Sequence, residues 1–228
     1  MTHPDPRHPD FSMMPPVIGF LLIANVALFL ALPWLGDWLM THFALWPIGT
    51  PSMILQDGQW LRVPDFQLWQ LLTYGFLHGG LVHLSVNMFA VWMLGVQIEN
   101  AWGSRTFALY FLICVIGAGL VQLMVTAYGD NGMVYPTVGA SGGVFGVLLA
   151  FGMMFPNQRL YLFFLPIPIK AKYFVIAYGA LELYLGISGT LAGIAHFAHL
   201  GGMAFGFLAI QYWRGRLPIR PRQRRFWW

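Results

Sequence analysis

Residues 107–127 read FALYFLICVIGAGLVQLMVTA, twenty-one positions without a single charge. At about 1.5 Å per residue a helix of that length rises about 30 Å, the thickness of a bilayer's hydrocarbon core. The stretch reads as a membrane span, and the rest of the chain shares its character. Across 228 residues, 58% are hydrophobic and 9% charged, whereas soluble domains carry roughly 25% charged residues. So few charges cannot cover a water-facing exterior, and lipid has to cover part of it. Outward from 107–127, further apolar runs lie near Pro16–Leu35, Leu71–Val96, Val138–Phe155, Ala171–Ile187 and Ile194–Trp213, six in all. The expected fold is an all-α membrane protein, one six-transmembrane-helix bundle over 16–213. A short polar segment, 1–15, precedes it and a basic tail, 214–228, follows. The opening MTHPDPRHPDF is polar and proline-rich and no small-residue cleavage site follows the first apolar run, which reads as a retained helix and not a secretory signal. The single cysteine, Cys114, cannot form an intrachain disulfide and reads as a small hydrophobe.

Charge gives an orientation. With both termini cytoplasmic, Arg7, Arg105, Arg159, Lys170, Lys172 and the tail arginines 214, 216, 220, 222, 224 and 225 share the inner side. That is eleven of the twelve basic residues, with Arg62 alone outside. The tail RGRLPIRPRQRRFWW is read as a cationic partner of anionic lipid, its Trp227 and Trp228 at the interface, and not as a nucleic-acid site. A bacterial plasma membrane is the expected location. Gly36–Trp69, the first outside loop, is long and apolar, with Trp38, Trp46, Trp60 and Trp69. Short interfacial helices are expected there.

Polar groups at membrane depth are costly, so each is a functional candidate. The second span carries His78, His83 and Asn87, the fourth opens on Ser141, the fifth holds Glu182, and the sixth begins with His196 and His199. Spans two, four and six all run from outside to inside. Helical rise then places Ser141 about 22 Å above Pro156, His199 about 21 Å above Trp213, and Asn87 and His83 about 18 and 24 Å above Glu99. Four polar residues on three helices converge at one depth, below the outer face.

Their types suit acyl transfer. A serine hydroxyl needs a base to take its proton, and His199 is the natural one. Ser141 lies near a helix start, where unpaired N–H groups and a positive dipole end await a developing oxyanion. His83 and Asn87, four apart, share a helix face and can both donate. No intramembrane Asp accompanies the pair, so a Ser–His dyad is expected, without a third member. Gly139, Gly142, Gly143 and Gly146 bare one flank of span four, and Gly202 and Gly206 form a small-residue stripe below His199.

Together these motifs resemble those of the rhomboid proteases. H-x-x-x-N at His83–Asn87, G-x-S-G at Gly139–Gly142 and A-H-x-x-G-x-x-x-G at Ala198–Gly206 occur in the family's order. E-N-A-W-G-S-R at Glu99–Arg105 and F-F-L-P-I-P at Phe163–Pro168 extend the similarity over nearly the whole chain after its first dozen residues. The resemblance implies an intramembrane serine endopeptidase that cuts single-pass or other transmembrane proteins near the outer end of the substrate helix. It implies Ser141 as nucleophile, His199 as general base, and an oxyanion hole from the Ser141 N–H with the side chains of Asn87 and His83. Gly202 and Gly206 would pack span six against span four. No cofactor or metal is implied, and the sequence does not give the oligomeric state. Two departures stand out. Trp69-Gln70 replaces the Trp-Arg of many members and leaves the loop's anchoring contacts open. Phe145 replaces a tyrosine four residues after the nucleophile, keeping a ring to stack on His199 without the hydroxyl.

Plainer readings accompany these. Ser141 taken alone is a small helix-packing residue. His78 and His196 are expected to pair with loop backbone or water, Glu182 to be a buried hydrogen-bonded carboxyl, and Glu99 to brace the turn near Arg105. Four intramembrane histidines also permit haem or metal ligation, although H-E-x-x-H is absent and Ser141 would go unexplained. A rhomboid-like binding protein without activity is the other alternative. In the proteolytic reading, substrate enters past span five, whose junction Leu185–Gly193 with span six looks short and mobile.

Overall fold

The computed structural model describes residues 11–49, 51–56, 59–128, 135–162, 165–189, 195–219 and 221. Residues 1–10 with Arg7, Phe163 and Phe164 of F-F-L-P-I-P, 190–194 of the junction before the last helix, and Arg220, Arg222, Arg224, Arg225, Trp227 and Trp228 of the tail lie outside the described residues.

Six helices of fourteen residues or more carry the described fold: α1 (Pro16–Phe43), α3 (Leu81–Trp102), α4 (Ser104–Tyr128), α5 (Ser141–Met154), α6 (Ala171–Ser188) and α7 (His196–Trp213). One turn of helix, α2 (Gln70–Thr73), leads into a tighter turn, Tyr74–Phe76. Three helices, α1, α3 and α4, are long and apolar enough to cross a membrane. Their outward faces are apolar too: Ile23 is 72% exposed, Trp34 81% and Val82 78%. Such a surface suits contact with lipid.

Two expectations need correction. The first helix runs on to Phe43, beyond Leu35, and the second begins at Leu81 and not Leu71, because the Tyr74–Phe76 turn and Gly79-Gly80 interrupt it. Between Ala44 and Leu68 the described residues hold no helix. Instead β1 (Met53–Gln56) pairs antiparallel with β2 (Gln59–Arg62), Met53 opposite Arg62. Pro47, Pro51 and Pro64 withhold the donors an interfacial helix would need. A second hairpin, β3 (Arg159–Leu162) with β4 (Leu165–Lys170), joins α5 to α6.

Glu99 does something other than brace the turn near Arg105. Its two carboxylate oxygens accept the Val17 and Ile18 backbone N–H groups at 3.0 and 2.9 Å. These are orphan donors of the first turn of α1, which opens on Pro16 and has no side-chain cap of its own. A buried anion on α3 thus caps α1 and satisfies its dipole. The α3–α4 connection is a single residue, Gly103, whose φ of 79° requires glycine.

At the centre α4, α5 and α7 approach at nearly backbone distance. A methyl at Gly202 would overlap the Gly142 carbonyl of α5, and one at Gly201 would come within 2.8 Å of Val121 on α4. Gly206, expected against α5, instead faces Tyr110 and Cys114 of α4. The Tyr110 hydroxyl in turn donates to the Gly146 carbonyl at 2.7 Å, joining α4 to α5.

Candidate active site

Ser141 is the first residue of α5. That helix has fourteen residues, about 21 Å of rise, too short for a 30 Å core. The chain reaches the N-terminus of this helix as an irregular strand. Three contacts fix that strand. Thr137 exchanges both backbone hydrogen bonds with Leu45, at 3.0 and 2.9 Å. The Gly139 N–H donates to the Tyr74 carbonyl at 2.9 Å, and the Tyr74 hydroxyl donates to the Val115 carbonyl of α4 at 2.7 Å. Gly139 has φ 128°, a backbone region closed to other residues. The first N–H groups of α5, Ser141's included, have no helical acceptor.

The stretch between α1 and α2 is tied down beside it. The family's Trp-Arg pair is Trp69-Gln70 here, and Gln70 anchors: fully buried, it accepts the Trp46 and Gln67 N–H groups, both at 3.3 Å. The Trp69 indole donates to the His42 carbonyl at 2.9 Å and the Thr73 hydroxyl to the Phe43 carbonyl at 2.8 Å.

His199 stands in the first turn of α7, where the Gly202–Gly142 approach brings it over Ser141. Its Nε2 lies 2.8 Å from Ser141 Oγ. Phe145, one turn further along α5, stacks on the imidazole with centroids 4.3 Å apart and planes 7° from parallel. The other ring nitrogen, Nδ1, lies 2.9 Å from Glu182 Oε2 on α6, and the same oxygen is 2.7 Å from His196 Nδ1. This corrects one expectation: His196 pairs with a carboxylate and not with loop backbone or water, and the same carboxylate stands behind the serine–histidine pair. The available signal was two histidines three apart on one helix and a lone acid at membrane depth on the next.

An ionised carboxylate only accepts; facing one, each Nδ1 would carry the hydrogen, which would leave the His199 Nε2 lone pair toward the Ser141 hydroxyl. His83 lies on the other side of the turn. A methyl on Gly139 would come within 2.7 Å of its ring. The Asn87 amide donates one N–H to the His83 carbonyl at 2.8 Å and keeps a second. Among the described residues neither the His83 ring nor the Asn87 amide bonds Ser141. His78, wholly buried, packs edge-on to His83 at 4.9 Å, and neither of its ring nitrogens has a hydrogen-bond partner among the described residues, loop backbone included.

The sequence model of the Rhomboid domain matches residues 65–216, more than half of the chain, spanning every residue of this site. The chain belongs to the rhomboid family. Among similar rhomboids, RHOMBOID-like protein 4 of Arabidopsis thaliana is 33% identical over 168 residues, 71% of this chain and 39% of that protein. Rhomboid protein 1, mitochondrial, of Saccharomyces cerevisiae is 29% identical over 80% of this chain and 53% of its own length. Rhomboid protease GluP of Bacillus subtilis is 29% identical over 69% of this chain and 27% of its own. This rhomboid therefore spans about half, or less, of the length of these relatives. Membership accords with its apolar exterior: the chain is an integral membrane protein.

Proposed function

We propose that this rhomboid is an intramembrane serine endopeptidase that cleaves transmembrane segments of other proteins near the outer leaflet, with Ser141 as nucleophile and His199 as general base. The observation that carries the reading is the 2.8 Å contact of His199 Nε2 with Ser141 Oγ at the open N-terminus of α5. Similarity to a relative named a rhomboid protease supports it. In the reaction Ser141 Oγ attacks a carbonyl of the substrate while its proton passes to His199 Nε2. The oxyanion forms at the unpaired N–H of Ser141, with His83 and the free Asn87 N–H as further donors. His199 then protonates the leaving amine, and water attacks the acyl-enzyme by the same route. Gly139 and Gly142 shape the nucleophile turn, Phe145 holds the imidazole plane, and Gly202 and Gly206 set the depth of α7.

The same proposal takes α1, α3, α4, α5, α6 and α7 as six spans over 16–213, with segment 1–15 and tail 214–228 both cytoplasmic, the latter against anionic lipid. A bacterial plasma membrane is the proposed site; one relative bears a mitochondrial name.

The test is cleavage of a labelled transmembrane substrate by the purified chain in detergent. Wild type cuts, while Ser141→Ala and His199→Ala, folded as judged by melting, do not. A fluorophosphonate probe labels wild type at Ser141. Undiminished cutting by Ser141→Ala would remove the nucleophile from this account.

A further inference from the structure

Glu182 is buried in α6, 4% exposed, and no Lys or Arg side chain pairs with it among the described residues. An unpaired carboxylate at that depth is costly, and a purely structural role would be served better by an apolar residue. Its partners are two imidazoles, and one of them touches Ser141. The titratable groups around this cluster are His83 on α3 and Tyr178 on α6, while α5 presents none. The three ligand-capable atoms of Glu182, His196 and His199 lie within 4.8 Å of one another. Their oxygen–nitrogen separations of 2.7 and 2.9 Å are those of hydrogen bonds. Ligands held 2.0–2.1 Å from a tetrahedral zinc would stand roughly 3.3 Å apart.

We propose that Glu182 is a positioning residue, completing a Ser141–His199–Glu182 triad in which His196 is the second donor that keeps the carboxylate ionised and aimed. The inference rests on the reading of Ser141 and His199 as nucleophile and base. Glu182 accepts the Nδ1 hydrogen of His199 and so presents Nε2, lone pair outward, to the serine hydroxyl. When the Oγ–carbon bond forms and the serine proton moves to Nε2, the imidazole becomes a cation against a carboxylate that stays ionised. The neutral ground state lacks that attraction, so the interaction favours the transition state selectively. The proton then leaves Nε2 with the departing amine, and Glu182 gains none.

Glu182→Gln keeps the size and removes the charge. We expect kcat to fall about 10³–10⁴-fold with KM within about threefold of wild type, as for loss of the orienting acid in a soluble triad. Fluorophosphonate labelling of Ser141 should slow in parallel. A kcat within twofold of wild type in the folded variant would overturn the proposal. A second measurement needs neither the variant nor turnover. In ¹⁵N-histidine-labelled wild type at neutral pH, His199, assigned by its loss in His199→Ala, is expected as the Nδ1–H tautomer. Observation of the Nε2–H tautomer would overturn the triad. If Ser141→Ala still cuts, the nucleophile assignment fails first, and the tautomer result still decides the hydrogen bond.

Discussion

At the residue scale, the site hangs on backbone that only particular side chains allow. Gly139 has φ 128° and the His83 ring lies where a Cβ would go. Gly139→Ala should cost about 1–3 kcal/mol of stability. It should also lower kcat at least tenfold, measured by melting and cleavage in the same detergent; wild-type turnover would show that the turn tolerates another geometry. Protonation supplies a second prediction. In the proposed reaction His199 takes the serine proton only when neutral. Activity should therefore fall as acid protonates the imidazole and be full on the alkaline side. A rate that climbed steadily on acidification would exclude His199 as base. The tyrosine of many relatives is Phe145 here, and its ring still lies flat on His199, so this position contributes stacking and shape without a hydroxyl.

At the element scale, helices are held by side chains from other helices, and here the sequence was least legible. Apolar length and composition were enough to locate six helical segments, since lipid demands both. Ser141, His199, His83 and Asn87 were nominated by the cost of polar groups in lipid, and the fold brings Ser141 against His199 with His83 beside Gly139. Glu182 is the buried, hydrogen-bonded carboxyl expected of it, and what escaped were the partners of the acids. Glu182 and Glu99 lie far in sequence from the groups they serve, and no local pattern encodes a partner fourteen or eighty-two residues away. The loop hairpin escaped as well, because short strands among prolines and tryptophans carry no helical or alternating period. Glu99→Ala tests the capping directly. Two N–H groups at the start of α1 would lose charged acceptors, at about 1.5–3 kcal/mol for each such bond. We expect a lower melting temperature with little change in KM. Gln70→Ala should do the reverse: the loop loses its buried anchor, cleavage falls severalfold, and global melting moves less, because α3, α4, α5 and α7 do not depend on that amide. Equal melting losses in the two variants would argue against this division.

At the scale of the whole molecule, the basic residues lie mostly on one side of the proposed six spans, a distribution expected to fix the topology. A reporter active only in the cytoplasm should work when fused after Trp228 and fail when inserted between β1 and β2. The reverse pattern would invert the depth assigned to Ser141. The site itself is a junction of four helices, with the proposed nucleophile on α5 and its proposed base fifty-eight residues later on α7. That ordering bears on synthesis. As the nascent chain enters the bilayer, the serine arrives first, the carboxylate next and the imidazole last. On the proposed function, a partly inserted chain carries a hydroxyl with nothing to take its proton, and it would stay inert among neighbouring nascent helices until its own last helix is threaded and docked.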